Sequence, residues 1–238
     1  MSLVCPSIIA SLNTSLCAPV DIYCERTSAA LDAEPVNAFS NIALLFAAWL
    51  AWREQSKRPV ATSDGLVRVL IVMVAIVGFG SFLFHTVATR WAEWGDVIPI
   101  FIFIVLYLWL VLTRFFGWSA WHTLLGLSVF LASSFLLEAL VPAGILSGGA
   151  MYLPTVIAVL ATSIALHRSH SAAAGPMTAA AGIFFCALVA RTLDMQVCGA
   201  LPLGTHFLWH LLMALFLYLL MKLAIRYSQN GLKKPTSV

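Results

Sequence analysis

The sequence predicts an all-α integral membrane protein, a seven-transmembrane helix bundle with its N-terminus outside and its C-terminus cytoplasmic. Three observations predict it. Of 238 residues, 61% are hydrophobic and only 10% are charged, with a mean hydropathy of +0.96, whereas soluble domains carry about 25% charged residues. A span needs roughly 20 apolar residues to cross about 30 Å of hydrocarbon, and seven runs qualify, at approximately 37–53, 66–88, 95–113, 118–137, 148–167, 175–195 and 203–225. The third observation is the placement of lysine and arginine. Seven spans put ten of them on one side (Arg53, Lys57, Arg58, Arg68, Arg114, Arg168, Lys222, Arg226, Lys233 and Lys234) and three on the other (Arg26, Arg90 and Arg191), a strong positive-inside bias.

The organisation is that of a single domain over 1–238: an outer N-terminal segment (1–36), the bundle (37–225) and a cytoplasmic tail (226–238). The separators read as loops, polar with Pro59 after the first span and small and polar from Ser169 to Gly175. No repeat, low-complexity tract or nucleotide-binding glycine loop is present. The net charge of +3 needs no nucleic acid, because the basic residues cluster beside the spans. Residues 1–20 lack the basic region and clean apolar core of a cleavable signal. Short loops without a retention signal favour a bacterial inner membrane over an endoplasmic reticulum or Golgi membrane.

The seventh run carries two histidines. His206 and His210 lie one helical turn apart in His206-Phe-Leu-Trp-His210, so they share a helix face, and ionisable residues within a span mark functional sites. The second run ends in Ser81-Phe-Leu-Phe-His85, where Ser81 and His85 stand about 6 Å apart along one face. Depth places His85, Asp96, His206 and His210 in one outer layer, while His122, His167 and His170 belong to the inner side.

Three histidines with an open position match a catalytic zinc, in contrast to the four protein ligands of a structural one. Water in the open position would have its pKa lowered toward about 7. Asp96 is then placed as general base, and Ser81 as a donor to the oxyanion formed when a carbonyl is attacked. The bland alternatives are packing histidines, an Asp96 that complements a helix dipole and a Ser81 packed between helices.

Before the first span, Asp21-Ile-Tyr-Cys-Glu-Arg and Glu34-Pro-Val-Asn-Ala-Phe-Ser-Asn41 gather oxygens on the outer side. Calcium prefers six to eight such ligands, and Asp21, Glu25 and Glu34 with carbonyls near Thr27 form a candidate site. The alternative is a solvated acidic loop in which Ser40 and Asn41 cap the first helix. Four cysteines, Cys5, Cys17, Cys24 and Cys198, fall outside, where disulfides form; Cys24 to Cys198 would tether the N-terminal segment to the seventh helix, and pairings with Cys5 or Cys17 stay open.

These residues, in this order, resemble the alkaline ceramidase family, part of a wider superfamily of seven-span hydrolases and receptors that includes the adiponectin and progestin receptors. The resemblance covers nearly the whole chain and is carried by Asp21 to Glu25, Glu34 to Asn41, Ser81 to His85, Asp96, Asp194-Met-Gln-Val-Cys198 and His206 to His210. It implies a zinc amidase cleaving ceramide or a related lipid amide within the bilayer, with His85, His206 and His210 as ligands, Asp96 handling the water proton and Ser81 assisting at the oxyanion. It further implies calcium near the N-terminus and a Cys24–Cys198 bridge. The chain departs from the pattern in one respect: the family's eukaryotic members have a more compact acidic stretch, which makes Glu34 and Glu25 firmer expected ligands than Asp21. Two other readings remain: a lipid esterase or glycolipid hydrolase of the same superfamily, and a receptor whose zinc is structural.

Overall fold

A computed structural model of the chain describes residues 5–59, 64–142 and 145–227. The expected tail beyond 227, with Lys233 and Lys234, lies outside the described residues. Among the described residues the architecture is all-α, and seven helices are long and apolar enough to cross a membrane: Pro35–Ser56, Gly65–Val87, Arg90–Phe115, Ala120–Leu137, Gly149–Arg168, Ala174–Val197 and His206–Tyr227.

Their starts follow local chemistry. The Asp64 side chain accepts the Leu66 N–H to open the second span, and Ser119 accepts from His122 at the fourth, each satisfying a donor that the helix itself leaves unpaired. Thr89 is extended and opens the third span at Arg90, earlier than the expected 95. Asp96 therefore stands well inside that helix rather than at its mouth. The seventh span starts at His206 rather than 203, because Gly204 takes a left-handed φ of 62°.

The seventh span is the centre of the bundle. It packs against the first and sixth spans, and 56% of its apolar window is buried against 11% for the fourth span. The first span meets it with buried Ala47, Ala48 and Ala51, small residues that let helices approach closely. Gly80 makes the closest crossing: a Cβ there would strike the Gly95 carbonyl and lie 3.2 Å from the Asp96 Cα. That crossing of the second and third spans brings Ser81 beside Asp96.

Before the first span, the N-terminal segment folds back over the end of the bundle that holds the histidines. Val20 N–H donates to the Ala88 carbonyl and Arg90 N–H to the Ala18 carbonyl, at 2.9 and 3.0 Å. Two disulfides secure it, Cys24–Cys198 as the family resemblance implies and Cys5–Cys17 in addition.

Candidate metal centre

His85, His206 and His210 converge. All three are buried, and their candidate ligand nitrogens lie within 4.8 Å of one another. Each imidazole is held in place from behind. His85 Nδ1–H donates to Glu34 Oε2 at 2.6 Å, leaving its Nε2 buried without a partner. His210 Nδ1 lies 2.7 Å from Ser40 Oγ, and since the Ser40 hydroxyl donates to the Asn37 carbonyl, the imidazole N–H is the donor and Nε2 is free. His206 stacks on Tyr23, with ring centroids 3.8 Å apart, and its Nδ1 is also buried without a partner. Buried polar atoms normally find partners. Two orphaned imidazole nitrogens in one three-histidine cluster therefore fit a metal ion, and ligating histidines commonly give their other ring nitrogen to a carboxylate or other acceptor.

Beside the cluster the Ser81 hydroxyl engages the Asp96 carboxylate, whose Oδ1 is buried without a partner. Both residues line a cavity of about 770 Å³ together with His206 and His210. Its wall includes Phe103, Phe184 and Phe216 and continues along the seventh span to Leu220, about 21 Å below His206 at helical rise. The polar layer thus forms one end of a deep apolar chamber.

Asp194 and Gly204 set the seventh helix. Asp194 Oδ1 accepts the backbone N–H groups of Thr205 and His206, at 2.7 and 2.8 Å, and Oδ2 accepts that of Cys24 at 3.0 Å. One buried carboxylate thereby caps the helix carrying two histidines and ties it to the N-terminal segment. Gly204 is required beside it, since a Cβ there would overlap Asp194 Oδ1.

The expected calcium ligands do not gather around a common point. Both Glu25 oxygens accept backbone N–H groups, of Val36 and Asn37 at 2.7 and 2.8 Å, and so cap the first span. Glu34 divides its oxygens between Arg26 and His85. Asp21 is exposed on the cavity wall and Thr27 is exposed. Calcium does not fit these carboxylates: next to Glu34 stands a guanidinium, and among the described residues the three histidines are the only group of three or more His, Cys, Asp or Glu side chains close enough to share an ion. Burial alone would raise the Glu34 carboxyl, but the hydrogen bonds from His85 and Arg26 and the guanidinium charge hold it below the usual carboxylate range. Burial also pushes the Tyr23 hydroxyl up, and Arg191 beside it only partly offsets this.

Sequence reasoning missed several members of the site. Arg26 was legible only as an outer cation, Glu34 only as a calcium ligand, and Ser40 and Asn41 only as caps, although Ser40 supports His210. Arg191 lies in the sixth span; its guanidinium donates to the Tyr23 hydroxyl at 2.9 Å and faces the rings of Tyr23, Tyr152 and Trp209. An arginine inside an apolar run was the available signal.

Fold and site together define a seven-span membrane protein built around three buried histidines placed so that they could hold a metal ion. The chain belongs to the ceramidase family, whose family model matches residues 19–237. Membership makes it a membrane-embedded hydrolase acting on the amide bond of ceramide, with a lipid as its substrate. No curated protein matches the chain.

Proposed function

We propose that the chain is a zinc-dependent intramembrane amidase that cleaves ceramide or a closely related lipid amide to a long-chain base and a free fatty acid. The observation that carries this reading is the juxtaposition of three clustered histidines, two of them with an unpartnered buried nitrogen, with the Ser81–Asp96 pair at one end of a deep apolar cavity. His85, His206 and His210 would hold the ion, which when bound polarises a carbonyl and makes water a competent nucleophile near neutral pH.

The remaining work falls to the chain. The apolar cavity takes the hydrocarbon chains and aligns the amide with the polar layer. Asp96, with a free oxygen, takes a proton from the attacking water and returns it to the departing amine. Ser81 donates its hydroxyl proton to that carboxylate and steers it; once Asp96 has taken the water proton and no longer needs that bond, the hydroxyl can turn to donate to the developing oxyanion. Glu34 and Ser40 fix the imidazoles so that the site needs little reorganisation during turnover. The basic side of the bundle would face the cytoplasm and the histidine layer the outer side, in a bacterial inner membrane.

Purified protein supplied with zinc and ceramide in mixed micelles should release sphingoid base, and His206→Ala should abolish release. No release from any lipid amide would sink the reading. Release of lysophospholipid would transfer it to the esterase alternative.

A further inference from the structure

We infer that Arg26 is a built-in cation that does the structural work of a bound calcium ion, clamping the N-terminal segment and the Glu34–His85 pair so that the metal centre assembles without calcium. The guanidinium sits in a cage of four oxygens drawn from three separate parts of the chain. Nε donates to Glu34 Oε1, Nη1 to the carbonyls of Ser28 and Ala30 at 3.2 and 3.3 Å, and Nη2 to the carbonyl of His85 at 3.1 Å.

One carboxylate and three backbone carbonyls around one guanidinium are oxygens of the kind that hold a hard cation, fewer than the six to eight that calcium takes. An ordinary ion pair would need the carboxylate alone. Here the cation is covalently part of the chain, permanently charged and planar, with a fork of donors that suits several oxygens at once. Both side chains of the ion pair are nearly fully buried, at 4% and 3% exposure, so neither charge is solvated in place of its partner. Glu25 is held outside the cage, its two oxygens accepting the backbone N–H groups of Val36 and Asn37.

The clamp bears directly on the metal centre. Glu34 Oε1 is fixed by Arg26 while Oε2 holds His85 Nδ1, and the same guanidinium also holds the His85 backbone carbonyl. Ring orientation and backbone position of one metal ligand thus depend on one arginine. Arg26 is a positioning residue, and this consequence rests on the reading of the three histidines as a zinc site.

The test measures metal binding, not lipid turnover. Wild-type protein in detergent, with zinc saturating and calcium depleted, is dialysed to equilibrium against radioactive calcium and melted in calcium or magnesium. The inference expects no saturable calcium uptake below about 10⁻³ M and identical melting in the two salts. One calcium per chain at about 10⁻⁴ M or tighter, or stabilisation by calcium alone, would overturn it.

In a second arm, Arg26→Ala should weaken zinc binding by about 10–100-fold, the usual effect of losing a group that supports a ligand, and Arg26→Lys should recover part of that loss. Wild-type zinc affinity in Arg26→Ala would also overturn the inference. If Arg26→Ala does not fold, the calcium arm on the wild-type chain decides alone. A wild-type chain that binds no zinc would count against the function proposed above, while the calcium arm would still decide the role of Arg26.

Discussion

The histidine layer and the fourth span are built on opposite plans. In the layer, groups from separate segments meet in pairs: Arg26 with Glu34, Glu34 with His85, Ser40 with His210, the Cys24 N–H with Asp194, and Cys24 with Cys198. The fourth span keeps its polar contacts to itself. Ser133 and Ser134 donate to the carbonyl of Phe130 in the same helix, and Phe135 and Leu136 are 69% and 58% exposed. One region is over-determined by cross-chain contacts; the other is a lipid-facing wall. Sensitivity to mutation should therefore follow proximity to the layer rather than depth in the sequence's apolar runs.

The largest break in that contrast is removal of a ligand. His210→Ala should leave the purified protein without bound metal, read by elemental analysis, and without turnover. Asp96→Asn should keep the metal yet lower kcat by about 10²–10⁴-fold, the range for loss of a general base; unchanged function in this variant would favour the receptor reading. Glu34→Gln removes the acceptor charge behind His85 and should weaken zinc binding about 10–100-fold, measured by competition with a chelator.

Gly204→Ala acts on backbone and contact together. A left-handed φ and overlap with Asp194 should cost about 1–3 kcal/mol, visible as a lower thermal midpoint. At the far end of the scale, Phe135→Ala in the fourth span should change stability by less than about 0.5 kcal/mol. A large loss at Phe135 would mean that the fourth span is not the passive wall described above.

Much of this was legible in the sequence, for definite reasons. Hydrocarbon demands long apolar runs, so the spans stand out wherever charge is scarce, and their number and approximate limits agree with the structure. A histidine in such a run is costly enough to be conspicuous, and spacing plus depth sufficed to group His85, His206 and His210 and to set His122, His167 and His170 apart. The start of the third span was misplaced because Arg90, Trp91 and Glu93 look like a polar loop in composition, while in the structure they form the first turn of a helix, with the Glu93 N–H on the Thr89 carbonyl. The carboxylates before the first span were harder still. Acidic residues near a membrane surface have the same composition whether they hold an ion, cap a helix or pair with an arginine.

Sequence alone therefore determined the membrane fold, the three histidines and the aspartate, because burial in lipid makes polar residues expensive and hence informative. Only the tertiary structure decided what stands behind them. Glu25 turned out to cap the first helix, Glu34 to hold His85, and Arg26 to occupy the oxygen cage. Those assignments depend on which oxygens and nitrogens of separate segments come within about 3 Å of each other, a distance that no spacing along the chain encodes.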